Sequence, residues 1–331
     1  MLLKSIADIK KVVPIIGSSS FTSFTPYIKQ AERDFLIPNM SKTEYDALSA
    51  AYNVTTPTLS AKQTELLEKC QEVIVHYMLF LWIPTGQVSM GDNGIRINTT
   101  ETLKTAFQWQ IDDLSRSVLR SSGSAMDALL DYLEENKATF ALWAASSAYT
   151  VFKECFITTT KQFSDLFSPI GNSRLNFIAL RSAMKKAQEF DITAIIGESF
   201  YNELMTQHIA NNLSANNLKV VALIQKALVP FTMKRAFTEL SVSIDERGIL
   251  NFNNTGNAQV VSQKQPAKDA MIFKLEMAAE NDAKTYSKKL KEFLATNIAD
   301  YATYAASDVY DSDTTDHSFT NDSESGNFFM G

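Results

Sequence analysis

The chain has 331 residues, 45% hydrophobic and 21% charged, which supplies a packed core and excludes wholesale disorder. Its 31 Lys and Arg against 37 Asp and Glu leave a formal charge of -6, which argues against a surface built to grip a phosphate backbone. Cys70 and Cys155 are too few for a disulfide framework, and His76, His208 and His317 are scattered, so a zinc hydrolase or histidine-based catalyst would have to draw on nearly all of them.

Taken in chain order, residues 1–20 are interrupted by Lys4, Asp8, Lys10, Lys11 and Pro14, and do not read as a secretory signal. The longest apolar run, Tyr77 to Pro84, falls far short of the roughly 20 residues a membrane span needs, so the expectation is a soluble chain with no membrane contact. A first helix near Thr25 to Phe35 leads through a turn to a Tyr-x-x-Leu helix at Tyr45 and Leu48. A long helix opens at Ser60, with Gln63 three residues on in capping-box spacing, and ends at Pro84 and Gly86. Its apolar set, Leu66, Leu67, Cys70, Ile74, Tyr77, Met78 and Leu81, recurs every three or four residues, as one buried face requires. Alternating residues then flank Asn93-Gly94, a hairpin-turn signal because both residues tolerate positive φ. Two further helices, near Thr100 to Arg120 and Ser124 to Ala148, complete the unit.

The same order recurs downstream. Ser60-Ala61 falls on Ser214-Ala215, Leu67 on Val221, Cys70 on Ile224, Tyr77 on Phe231, and Gly94-Ile95 on Gly248-Ile249. Ala31, Tyr45 and Leu48 match Ala187, Tyr201 and Leu204, while Tyr132-Leu133 and Phe140 match Phe293-Leu294 and Tyr301. Trp109 and Trp143 fall on Phe273 and Tyr304 and read as a repeated core. Pro230 lies inside the second long helix and predicts a kink. The second hairpin turns at Arg247-Gly248, and the closing helices run from Pro266 to Tyr286 and Ser287 to Ala306.

The fold expected is mostly α: a tandem duplication of a helical bundle unit, each copy carrying one β-hairpin, with a flexible acidic C-terminal tail. The divisions are an N-terminal segment 1–20, copy one at 21–148 with its hairpin near 87–98, and a connector at 149–174. Copy two spans 175–306 with its hairpin near 241–253, and the tail spans 307–331.

The sequence carries few signs of chemistry. Phosphate-loop, dinucleotide, zinc and nucleophile-elbow signatures are absent. Cys70 sits in an apolar stripe opposite Ile224, and His76 lies beside that stripe, so both read as structural. Asp311 to Asp316 starts like a calcium loop but has Asp316 where the turn Gly belongs and no closing Glu. Neither catalytic nor metal nor cofactor residues are assigned, and no enzyme is expected; an unrecognised hydrolase is the least favoured class.

The pattern resembles the helical head–tail connector or ring proteins of tailed bacteriophages, in the duplicated form of crAss-like and other Bacteroides-infecting phages. The resemblance rests on Ala31…Leu36-Ile37-Pro38…Tyr45-Asp46-Ala47-Leu48, the long helix, the Gly94-Ile95 hairpin, Leu129 to Asn136, and Trp143 to Tyr149 leading into Phe156-Ile157-Thr158. It implies a virion protein made in the bacterial cytoplasm that forms a ring, typically of twelve subunits, below the portal at the head–tail junction. Its partners would be its own copies, the portal, the adjacent ring or tail protein, and double-stranded DNA passing through the lumen without sequence-specific binding. Hairpin turns at Asn93, Gly94, Arg247 and Gly248 are candidate subunit contacts, and Phe328, Phe329 and Met330 are candidate anchors on a partner. The competing expectation is a cytoplasmic helical scaffold or adaptor with no virion role.

Overall fold

The computed structural model describes residues 1–14, 20–86, 88–91, 94–97, 106–171, 173–239, 242–245, 248–251 and 269–310. It is mostly helical. The first half runs α1 (Ile6–Val12), α2 (Phe21–Ala31), a π-helical turn (Glu32–Leu36), α3 (Ile37–Met40), α4 (Lys42–Tyr52) and α5 (Ala61–Gly86). Strands β1 (Val88–Gly91) and β2 (Gly94–Ile97) pair antiparallel, Val88 opposite Ile97, before α6 (Gln108–Glu135), α7 (Ala141–Ala144) and α8 (Ser147–Phe152).

The second half repeats that order. It comprises α9 (Thr160–Leu166), α10 (Arg174–Lys186), a π-helical turn (Ala187–Ile192), α11 (Thr193–Ile196), α12 (Glu198–Ala210) and α13 (Ala215–Glu239). Strands β3 (Val242–Asp245) and β4 (Gly248–Asn251) follow, then α14 (Asp269–Thr296) and α15 (Ala302–Ala305). Each half closes on its own core. One cluster runs from Leu2 to Tyr149 around Met40, Ile74 and Leu129, the other from Cys155 to Tyr304 around Ile196, Ile224 and Leu290.

The repeat begins earlier than residues 21 and 175. In the first half Glu32 Oε1 accepts from the Leu2 amide at 2.7 Å, and Gln71 Nε2 donates to the Leu2 carbonyl at 2.8 Å. In the second, Gln188 Oε1 accepts from the Phe156 amide at 2.9 Å, and Gln225 Nε2 donates to the Phe156 carbonyl at 2.7 Å. A buried strap residue is thus held at both backbone groups in each copy, which satisfies polar atoms that burial would otherwise penalise. Helices α1 and α9 follow their straps alike. Asp8 reaches back to the Ser5 amide at 3.0 Å, and Gln162 to the Thr159 amide at 3.4 Å. Residues 1–14 therefore open the first copy, and the segment expected to be a connector supplies, from Cys155 onward, the opening of the second. The C-terminal boundary also moves, because Val309 and Tyr310 pack on the second core, with the Tyr310 ring 5.5 Å from that of Tyr304.

The two closing helices expected in each copy are single 28-residue helices. Ser-Ser-Gly-Ser at 121–124 reads as a break, yet Ser122 Oγ donates to the Leu119 carbonyl at 2.8 Å and Ser287 Oγ to the Ala283 carbonyl at 2.6 Å. Each hydroxyl is satisfied by its own helix, so neither competes with the helical ladder. Pro230 lies within the uninterrupted span of α13, and Pro84 in the last turn of α5.

Candidate interaction surfaces

The two copies meet at a buried polar joint. Helix α6 turns Gly123, Asp127 and Glu134 toward the second half. Arg174, first residue of α10 and 5% exposed, pairs with Asp127 and reaches Asn39 Oδ1 at 3.4 Å. Gly123 permits this approach, since a Cβ there would lie 3.0 Å from Arg174 Cβ. Burial lowers the Arg174 pKa, with Asp127 opposing the shift. Nearby, buried Lys153 bridges to Glu134 at 2.8 Å and donates to Asn211 Oδ1 at 3.0 Å. Asn211, left-handed at the end of α12, donates to Glu134 in turn, and Tyr149 Oη donates to the Ile209 carbonyl at 3.1 Å. Burial, then the Glu134 charge, pushes the Tyr149 hydroxyl up to about 12. A buried ion pair of this kind adds little net stability, but removing one partner leaves a buried charge uncompensated.

A second surface was misread from the sequence. Trp143 and Tyr304 are core residues, 0% and 3% exposed. Trp109 and Phe273 are not: they are 57% and 62% exposed, near the starts of α6 and α14. Leu114 and Phe107 beside the former, and Leu275 and Met277 beside the latter, are exposed as well. Periodicity places a residue on a face without saying whether that face is covered. The burial pattern also corrects the register. Val118, Ser122, Leu129 and Leu133 superpose in order on Ala279, Ala283, Leu290 and Leu294, a constant offset that pairs Leu114 with Leu275, both exposed, rather than Trp109 with Phe273.

The other candidates divide simply. Gly94 lies in β2 opposite Gly91, and Gly248 in β4 opposite Asp245. Asn93, Arg247, Phe328, Phe329 and Met330 lie outside the described residues, as does His317. Cys70 and Cys155 are buried free thiols; burial raises both, Cys155 to about 12, which keeps them protonated and unreactive. His76 Nδ1 lies 3.0 Å from the Glu72 carbonyl on its own helix. His208 is buried, with Nε2 3.1 Å from the Cys155 carbonyl, so the neutral ring donates there. Burial and then the Lys153 charge lower its pKa to about 4. Among the described residues no cluster of three His, Cys, Asp or Glu could hold a metal, and no helix is long and apolar enough to cross a membrane. Sequence reasoning missed Arg174, Asp127 and Lys153 because isolated charges on helices carry no local sign of burial.

A family profile described as a family of unknown function, DUF6712, matches residues 33–153 and again 192–314. The chain belongs to that family. One match falls in each half, consistent with a duplication. No curated protein and no solved structure matches the chain.

Proposed function

We propose that this DUF6712 chain is a structural virion protein that forms a head–tail connector ring below the portal, extending the DNA channel and docking tail components. The observation that carries this reading is that the long helix following the hairpin exposes large apolar residues near its start in both copies: Phe107, Trp109 and Leu114 at α6, Phe273, Leu275 and Met277 at α14. Two related but non-identical apolar surfaces in one subunit suit head-to-tail contacts, in which one face meets a different face of its neighbour and rotation closes a ring. The hairpin turns at Asn93, Gly94, Arg247 and Gly248 would contribute to those contacts, since a two-stranded edge can pair with another chain. A subunit of charge -6, repeated around a lumen, would let DNA slide past without holding it. Phe328, Phe329 and Met330 would anchor the acidic segment on the portal or the adjacent ring or tail protein.

Imaging the native particle with a gold-tagged chain tests the reading. Label at the head–tail junction, in a ring of subunits, is the expected result. A chain found only in infected-cell cytoplasm and absent from particles would overturn it and leave the scaffold reading in its place.

A further inference from the structure

In the second copy a cavity of about 150 Å³ opens between α13 and α14. Val229, Met233 and Tyr286 line it, with Leu166, Leu275 and Lys226 also in its lining. Part of its origin is a truncation, because Ala279 stands where the first copy has Val118. A hollow of this size has room for a benzene-sized ring. Leu166 and Leu275 are 40% and 42% exposed, so apolar surface continues outward from it.

We propose that this cavity receives the chain's own Phe328-Phe329-Met330, with one phenyl ring inside and its neighbours against Leu166 and Leu275. Three observations select this occupant. The first is chemistry: residues 311–326 contain Asp311, Asp313, Asp316, Asp322 and Glu324 with no Lys or Arg, followed closely by the apolar trio. The second is charge. Lys219 and Lys226 are exposed and seven residues apart on α13, hence on one stripe that leads to the cavity, whose lining holds Lys226 against a single carboxylate, Asp282. The third is reach. Tyr310 packs on Tyr304, and Tyr301 Oη donates to the Asn216 carbonyl at 3.1 Å, which places the start of the segment near the first turn of α13. The cavity begins roughly 15 Å further along that helix at ~1.5 Å per residue. Residues 311–327 can extend ~56 Å at ~3.3 Å per residue. The chain's own segment thus reaches easily, and its effective concentration, on the order of millimolar, exceeds that of any second copy in dilute solution. The docking needs no ring and operates in a lone subunit; a partner that binds the trio would have to displace it.

The full chain can be tested directly, because Cys70 and Cys155 are buried and leave an introduced thiol as the only accessible one. A nitroxide on Gly331→Cys should strip most of the intensity from the Met233 methyl signal at low micromolar concentration, with no dependence on dilution. Mixing spin-labelled chain with separately methyl-labelled chain should leave Met233 sharp. Broadening only in the mixture would assign the site to a neighbour's segment, and a sharp Met233 in the labelled chain would remove the docking altogether; either overturns the proposal. Ala278→Phe, at an exposed position on the cavity wall, should restore the Met233 signal without lowering the melting temperature. Persistent broadening in that variant would also overturn it. Loss of ring formation in particles would bear on the connector reading alone.

Discussion

The two copies share a backbone plan and differ where their surroundings differ. Helix α6 carries Gly123 and Asp127 on the face that meets the second half, and α14 carries Lys284 and Lys288 at the matching places. The first face is covered by Arg174 and α10; the second is exposed, and Lys284 and Lys288 pair with Glu280 and Glu292 on their own helix. A closing helix thus acquires small and acidic residues where a second copy docks on it, and lysines where water does. The cores diverge more subtly. Trp143 donates its amide to buried Glu44 Oε2 at 3.0 Å, whereas Tyr304 packs against Phe200 with ring centroids 6.1 Å apart. An ionisable group is retained in one copy and replaced by a ring in the other, and burial raises the Glu44 pKa accordingly.

Breaking the joint gives the largest expected effect. Arg174→Met strands Asp127 in a mostly buried site and should cost about 3 kcal/mol, within the range for removing one partner of a buried pair. Denaturant unfolding measures it, and Asp127→Leu added to Arg174→Met should recover part of the loss. No recovery would mean that packing, not charge, holds the copies together.

Acid should weaken the second copy first. His208 has a folded pKa of about 4 against an ordinary value of 6.5, so as pH falls the unfolded chain takes up the proton before the folded one. Its contribution is intact above about pH 6.5, is lost progressively as pH falls, and levels off below about pH 4. At pH 5 the loss should be about 2 kcal/mol relative to pH 7.5. His208→Gln, which keeps a donor for the Cys155 carbonyl, should flatten this dependence; equal slopes for both proteins would exclude His208 as the cause.

The strap clamps sharpen the comparison. Gln188 Nε2 donates to the Glu154 carbonyl at 3.0 Å and to Tyr201 Oη at 2.9 Å, contacts a carboxylate cannot make as donor. Gln188→Glu should therefore cost about 2 kcal/mol, and Glu32→Gln, which imports the second copy's solution into the first, under about 1 kcal/mol. Melting of both variants checks the asymmetry, and equal losses would show that the two clamps are not interchangeable in kind.

The turns before α4 and α12 take the same left-handed φ, 71° at Ser41 and 79° at Gly197. Ser41 bears that strain while its hydroxyl caps the Glu44 amide at 3.3 Å. A Cβ at Gly197 would lie 2.9 Å from Ser307 Cβ, so Gly197→Ser should cost about 1–3 kcal/mol in thermal unfolding. Ser41→Gly trades strain for a lost cap and should change little.

A subtler comparison concerns one hydroxyl per copy. Tyr132 Oη donates to the Lys62 carbonyl and Tyr301 Oη to the Asn216 carbonyl, each at 3.1 Å. These carbonyls are equivalent, yet the tyrosines are not: Tyr132 corresponds to Phe293, and Tyr301 to Phe140. The neighbouring rings have exchanged the hydroxyl. Tyr132→Phe should cost about 1 kcal/mol. Tyr132→Phe with Phe140→Tyr should restore it on the second copy's pattern, and failure to do so in melting experiments would break the equivalence.

The order of helices, the long-helix stripe and the doubling of the unit were legible in the sequence, because each is written in residues close together. Capping at Ser60, apolar spacing through Met78, and the matching of Ser60-Ala61 with Ser214-Ala215 are local signals that any register of packing preserves. Only the tertiary structure decided where each copy opens, because the clamps on Leu2 and Phe156 join residues 30 to 69 positions apart. It alone decided that Trp109 is exposed while Trp143 is buried, and that Arg174 is enclosed. Burial depends on which surface a neighbouring element covers, and helical periodicity carries no record of that.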